Sequence, residues 1–351
     1  MAPITVPRIR KNTFASIVGW FDNEAPQGIA YGPEDKKVSQ LRLLPFWLMH
    51  LPLIALYWVG ASPVAVAVAA VLYLVRMHAI TGWYHRYFSH RTFKTGRTMQ
   101  FLFAFIGNTA TQRGALHWAA HHRDHHRFSD RPEDPHSPRQ HGFWVSHMLW
   151  FGKKENSTAR SRHCKDFAKF PELMFLDRFD FLAPLALGAF TLALGWLLHR
   201  TAPHLRTSAG QMLIWGYFVS TIALYHGTFS INSLGHILGR QRYRTGDDSK
   251  NSFLLAIVTL GEGWHNNHHH YANSVRQGFR WWEIDVSYYV LWGFSQVGLV
   301  WGLKPVPKHL LEDEARHGPD WTPVPMQTQA SEAGAPAATA SAEEPRFSKA
   351  A

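Results

Sequence analysis

The sequence predicts an all-α membrane protein, with four transmembrane helices and a cytosolic helical cap that holds a histidine-rich metal site. Three observations carry that prediction. Hydrophobic residues make up 46% of the 351-residue chain and charged residues only 17%, a low charged share for a soluble domain. Long stretches carry no charge at all. The chain also has 23 His, nearly as many as its 25 Asp and Glu together, and imidazole binds divalent metals at neutral pH without adding charge. The single cysteine, Cys164, excludes an internal disulfide framework, an all-cysteine iron–sulfur cluster and a cysteine zinc knuckle.

From Leu43 to Val75 there is no Asp, Glu, Lys or Arg, and Gly60-Ala61-Ser62-Pro63 punctuates the run. About 20 apolar residues cross the hydrocarbon of a bilayer, so two helices are expected, at 43–60 and 63–82, joined by a tight turn. A third is expected at 181–198, where Phe181 to Leu198 is uncharged, and a fourth at 211–231, apolar from Gln211 to Tyr225. Buried helices of a large soluble protein are the rival reading, and runs this long favour crossing. Met99 to Gly107 is too short to cross and is expected as an interfacial or partly buried helix. Val286 to Leu303, flanked by Asp285 and containing Gln296, is expected to lie at the membrane surface or to pack on the cap.

Four crossings leave residues 1–42, the loop 83–180 and everything after about 236 on one side. That loop carries Arg86, Arg91, Lys94, Arg97, Arg113, Arg123, Arg127, Arg131, Arg139, Lys153 and Lys154, whereas the opposite loop near 199–210 carries Arg200 and Arg206. The positive-inside bias therefore assigns both termini and the long loop to the cytoplasm. The same bias accounts for the net charge of +11 without a nucleic-acid partner, because the basic residues are spread along the chain. Residues 1–40 hold no apolar h-region, so no cleavable signal peptide is expected. The expected organisation is a cytosolic N-terminal segment, 1–42, a membrane domain, 43–305, and a cytosolic tail, 306–351. From about Thr322 the tail is rich in Ala, Pro, Ser, Thr and Glu and is expected to be disordered.

Four histidine clusters stand out: His85 with His90, His121-His122-Arg123-Asp124-His125-His126, Asn232 with His236, and His265-Asn266-Asn267-His268-His269-His270. Residues three and four apart share a helix face. His122, His125 and His126 can then point one way, as can His265, His268 and His269, and Asn232 with His236. His85 and His90, five apart, would diverge on a continuous α-helix, so the pair is expected to straddle a helix end with His90 on a turn. All four clusters fall on the cytoplasmic side of the assigned spans and can converge. His50, His78, His117, His147, His163 and His226 are read as ordinary surface or core histidines, and His121 and His270 lie off the shared faces. A structural zinc needs about four ligands and a catalytic one three, so nine histidines suggest two ions. Imidazole suits iron, copper, zinc and nickel alike, and spacing does not choose among them.

At these residues the chain resembles the membrane-bound fatty acid desaturase superfamily, most closely the Δ9 acyl-CoA (stearoyl-CoA) desaturases of bacterial type without cytochrome b5. The resemblance covers about residues 40–305. It rests on His85-x4-His90, His122-Arg123-Asp124-His125-His126-Arg127-Phe128-Ser129, Asp134-Pro135-His136 with Gly142-Phe143 and Ser146-His147, Asn232-Ser233-x-x-His236, and Gly261-Glu262-Gly263-Trp264-His265-Asn266-Asn267-His268-His269. It implies a four-span fold in a bacterial inner membrane and a di-iron centre using O2 as co-substrate. The implied iron ligands are His85, His90, His122, His125, His126, His236, His265, His268 and His269, with Asn232 acting through a water. Trp118 matches a residue lining the acyl tunnel, and Lys153 and Lys154 fall near a basic pair at the substrate headgroup. Ala120 and His121 stand where animal members carry Arg-Asp near CoA.

The resemblance implies insertion of a cis double bond, Δ9, into a saturated acyl chain in unsaturated fatty acid biosynthesis, with acyl-CoA preferred over acyl-lipid. No His-Pro-Gly-Gly haem motif occurs, so electrons are expected from a separate donor, a ferredoxin or cytochrome b5 type with its reductase. Two rivals remain. A di-iron fatty acyl hydroxylase of the same superfamily shares the first hydrogen abstraction. A metal transporter would place its binding residues within the spans, whereas here they lie beyond the span ends.

Overall fold

The uncharged run near the N-terminus folds as a helical hairpin whose second arm is the longest helix among the described residues. The computed structural model describes residues 21–23, 36–157 and 164–312. Helix α1 (Gln40–Val59) and helix α2 (Pro63–Ser89) are separated by a turn in which Gly60 takes φ 62°. Ser62 caps α2 by accepting the Ala65 N–H at 3.2 Å, and Pro63 occupies the first helical position, where no N–H is required. Pro52 removes a donor inside α1, and Leu51–Ala55 tightens there into a 3₁₀ turn. The expected second span ended at 82, but the helix runs on to Ser89 because Ala79–Ser89 winds as a π-helix. This stretch is buried throughout.

Shorter elements follow in the long loop. Strand β1 (Lys94–Thr95) leads into α3 (Arg97–Asn108), which buries Phe103, Ala104 and Gly107 on one face. Trp83 of α2 stacks on Phe103 at 4.5 Å. Helix α4 (Ala115–Phe128) carries the second histidine box, and α5 (Pro171–Arg178) packs against its start. Asp177 Oδ1 accepts the N–H groups of Leu116 and His117 at 3.0 and 2.9 Å, so a side chain from α5 satisfies orphan donors in the first turn of α4. The apolar core gathers at this junction, with Tyr84, Phe88, Phe103, Leu116, Leu173 and Leu176 all buried.

Helix α6 (Leu182–Thr201) is the third apolar helix. Among the described residues, α1, α2 and α6 are the helices long and apolar enough to cross a membrane by length and composition. The fourth expected span, 211–231, lies in α7, helical throughout 209–233, but does not join them. Ser220, Thr221, His226, Thr228, Ser230 and Asn232 dilute its apolar character, and it packs between α2 and α6, where Gly216 faces Thr191 and Val68. Arg76 of α2 is buried against it and donates to Thr221 Oγ1 at 2.7 Å and to the Thr109 carbonyl at 3.2 Å.

After α7 come α8 (Phe253–Val258), α9 (His265–His270) and α10 (Val286–Gln296). The run from Val286 to Leu303 was expected as one helix. It ends at Gln296, Gly298 turns with φ 73°, and strand β2 (Val300–Trp301) pairs antiparallel with β1, Lys94 opposite Trp301 and Thr95 opposite Val300. A two-stranded ribbon is thus added to the otherwise helical fold. Helix α10 packs on the π-helical end of α2, where Thr81 and Ser287 hydroxyls lie 2.6 Å apart. His163, the N-terminal residues 1–20 and the tail expected to be disordered from about 322 lie outside the described residues.

Candidate metal centre

The nine histidines named from the sequence converge into two groups. His85, His90, His122, His126 and His268 form one, His125, His236, His265 and His269 the other, and within each group the ligand-capable nitrogens lie within 4.8 Å of one another. In the first, Nε2 of His85 and His268 are 2.9 Å apart, those of His90 and His122 2.8 Å, and those of His126 and His268 2.9 Å. In the second, Nε2 of His125 and His269 are 3.3 Å apart and those of His236 and His265 3.1 Å. The groups adjoin, with the His126 and His269 rings stacked at 4.6 Å.

Local helix geometry explains who joins which group. A π-helix closes i→i+5 hydrogen bonds, and His90 N–H donates to the His85 carbonyl at 3.2 Å. The five-residue spacing that would diverge on an α-helix therefore brings the two rings to 4.9 Å. On α4 and α9 the successive residues rotate by about 100°, so i and i+4 align better than i and i+3. His122 with His126 enters the first group and His125 crosses to the second; His265 with His269 enters the second and His268 crosses to the first. Each helical box thus serves both groups.

Four carboxylates hold the outer nitrogens. His125 Nδ1 meets Asp134 Oδ2 at 2.9 Å, His236 Nδ1 meets Asp130 Oδ2 at 3.0 Å, and His269 Nδ1 meets Asp247 Oδ2 at 2.6 Å. His85 Nδ1 pairs with Glu262, which also accepts from Arg86 Nη2 at 3.0 Å and Gln277 Nε2 at 2.9 Å. Arg86 in turn pairs with Asp285 at 2.9 Å. Partners of this kind fix the tautomer and orientation of metal-bound imidazoles. Burial alone would raise these acids, but His236 holds Asp130, His125 holds Asp134 and His269 holds Asp247 well below the usual carboxylate range. Burial, reinforced by neighbouring histidines, keeps His90, His122, His126, His265 and His268 well below the ordinary imidazole value.

This arrangement fits bound metal. With the Nδ1 atoms of His125, His269 and His236 engaged by Asp134, Asp247 and Asp130, their Nε2 atoms are the ones turned towards one another, those of His125 and His269 3.3 Å apart. Facing lone pairs in a buried site repel unless a cation lies between them. The donor set is all imidazole nitrogen, suited to a transition metal rather than calcium or magnesium.

A cavity adjoins both groups. Met77, Ile80 and Ile231 supply apolar wall, and Asn232, Trp118 and His122 line it. Trp118 stacks on His122 at 5.1 Å. Lys153 and Lys154 are not among the lining residues; Lys153 follows the Trp150–Gly152 turn and pairs by backbone bridge with Val38. Ala120 and His121 are buried, His121 against Trp150 at 5.6 Å. Sequence reasoning missed Asp130 and Asp247, and it quoted Glu262 and Asp134 without a role. The Asp130-x3-Asp134 spacing directly after the second box was the available signal. His136, buried beside His125 at 4.4 Å, forms a further group with His125 and Asp134, but His125 already serves the second group.

The fatty acid desaturase profile matches residues 61–292. The palmitoyl-monogalactosyldiacylglycerol delta-7 desaturase of Arabidopsis thaliana is 38% identical over 244 residues, 68% of this chain and 62% of that one. The Arabidopsis thaliana delta-9 acyl-lipid desaturase 1 is 35% identical over 243 residues, 68% and 75% of the two chains. The sn-1 stearoyl-lipid 9-desaturase of Anabaena variabilis is 35% identical over 247 residues, 70% and 85%. With its helices suited to crossing a membrane and its paired histidine groups, the chain belongs to the fatty acid desaturase family.

Proposed function

We propose that the protein is an O2-dependent acyl desaturase that inserts a cis double bond, Δ9, into a saturated chain carried on a membrane lipid. The observation that carries this reading is the pair of buried histidine groups at the wall of an apolar cavity. In this proposal His85, His90, His122, His126 and His268 hold one iron and His125, His236, His265 and His269 the other, with Asn232 acting through a water. Two bound irons would supply the activation of O2 needed to attack an unactivated methylene. Overall, two neighbouring methylenes each lose one hydrogen, and O2 takes up these two hydrogens with two electrons and two protons to leave two waters.

The chain's own residues do the positioning. Met77, Ile80 and Ile231 exclude water and hold the alkyl chain beside the metal groups, and Trp118 braces His122. Such placement brings one C–C bond to the reacting centre. The carboxylates Asp130, Asp134, Asp247 and Glu262 keep their imidazoles in one tautomer. The sequence favoured acyl-CoA over acyl-lipid. Ala120 and His121 in place of a charged pair, and the lipid substrates in the relatives' names, favour acyl-lipid. The proposed topology puts α7 across the membrane as a fourth span, with the metal groups and both termini on the cytoplasmic side of a bacterial inner membrane. Electrons come from a separate ferredoxin or cytochrome b5 type donor.

The test is the fatty acid profile of a desaturation-deficient host expressing the protein, by gas chromatography–mass spectrometry with double bonds located through disulfide adducts. A cis-Δ9 monoene that is absent with His268→Ala is expected. A hydroxy acid would move the protein to the hydroxylase reading. An unchanged profile with iron-loaded protein and a supplied electron donor would overturn both.

A further inference from the structure

Helix α8, Phe253–Val258, has the sequence Phe-Leu-Leu-Ala-Ile-Val and no polar residue. It is too short to cross a membrane, yet Phe253, Leu254, Ile257 and Val258 are exposed, Leu254 by 71%. A contiguous apolar surface of this kind on a folded protein marks an interaction site. Its neighbours extend the surface. Trp264 packs against Phe253 at 6.4 Å and donates its Nε1–H to the Ile284 carbonyl at 2.8 Å, which joins α8 to the loop that exposes Trp281 by 81% and Trp282 by 52%.

What covers this surface is indicated by where it is attached. The Tyr73 hydroxyl of α2 donates to the Val258 carbonyl at 2.6 Å. Tyr73 lies within the uncharged run ending at Val75. It sits ten residues along α2 from Pro63, about 15 Å at ~1.5 Å per residue, roughly halfway through a ~30 Å hydrocarbon layer. Leu74 and Val75 beside it are exposed by 49% and 44% on a helix suited to crossing a membrane. The exposed face of α8 is therefore continuous with the outward face of α2. Lys250, just before α8, folds its Nζ back to the Ile237 carbonyl at 2.8 Å, and Trp281 and Trp282 supply the amphipathic rings that favour a membrane–water boundary.

We propose that α8 is a membrane-immersed wedge whose exposed face lies among the acyl chains of one leaflet, with Trp281 and Trp282 at the headgroup boundary. Thr259, the next residue after α8, lines the cavity, so the wedge sets the cavity wall directly against the leaflet. The proposal concerns a lipid surface and stands whichever reaction the cavity carries out.

The experiment is collision accessibility of a nitroxide on Leu254→Cys in vesicles of phosphatidylethanolamine and phosphatidylglycerol. Cys164, the one native thiol, is 0% exposed, so unsubstituted protein is the labelling blank. Val71→Cys on α2 is the hydrocarbon reference and Arg131→Cys the aqueous one. The Leu254 label is expected to match Val71, with high collision with O2 and low collision with the water-soluble nickel chelate. A match to Arg131 overturns the proposal. Shielding from both reagents also overturns it, because that would mean a protein partner or a second copy covers α8. Phe253→Cys repeats the measurement should Leu254→Cys fail to fold.

Discussion

A metal-binding histidine is only as good as the group behind its other nitrogen. Asp247 accepts from His269 Nδ1 at 2.6 Å and is itself held by the Ser249 N–H at 3.1 Å. Replacing Asp247 by Ala frees the His269 ring and is expected to weaken metal binding by about 10–100-fold. Iron content after titration with a competing chelator measures this, and Asp247→Asn, which keeps an acceptor, is expected to retain more. By contrast His226, although 3.0 Å from His147 Nε2, belongs to neither metal group, and His226→Ala is expected to leave iron content unchanged. An equal loss in both variants would show that the two groups are not the metal site. The nine histidines were legible because short spacings expose them: pairs four apart on a helix announce a shared face. Their carboxylates were not, because Asp247 lies 22 positions from His269 and Asp130 lies 106 from His236, and no local period links such pairs.

Helices deliver these side chains, and two of them depend on a close fit that the sequence did not reveal. Gly107 of α3 lies against Tyr84, where an added Cβ would fall 2.2 Å from the ring. Gly107→Ala is expected to destabilise by about 1–3 kcal/mol through overpacking, read as a lower thermal midpoint. Asp177 is the second case. Burial pushes its carboxyl up to about 7, although the backbone N–H groups of His117 and Leu116 oppose this. The folded state therefore holds a proton that the unfolded chain releases near the ordinary carboxylate value of 3.8. Stability from this group is complete below that value and is lost as pH rises towards 7. The wild type is expected to gain thermal midpoint between pH 7.5 and pH 5 relative to Asp177→Asn; parallel curves for the two proteins would refute it. The apolar runs located α1, α2 and α6 because hydrocarbon thickness sets a minimum length. The run did not reveal where α2 ends, since the π-helical turn that carries His85 towards His90 is stabilised by tertiary partners such as Glu262 and Ser287.

The two histidine groups draw together distant parts of the chain. His85 and His90 come from the end of α2, His122, His125 and His126 from α4, His236 from the segment after α7, and the last three from α9. Nε2 lone pairs brought face to face repel. Bound cations convert that repulsion into four-way cross-linking, so binding free energy becomes folding free energy. An ion present at a thousand times its dissociation constant stabilises by about 4 kcal/mol, worth on the order of 10 °C in thermal midpoint for a chain of this size. Chelating the iron-loaded protein is expected to lower the midpoint by that order, and His268→Ala, which removes a ligand of the first group only, to give a smaller drop on chelation. Because α2 supplies both the first group and the attachment of α8 at Tyr73, metal loss is also expected to increase protease cleavage around α8 and α9 before α1 and α6 are affected. An iron-loaded protein whose midpoint ignores the chelator would show that the histidine groups do not hold the metal.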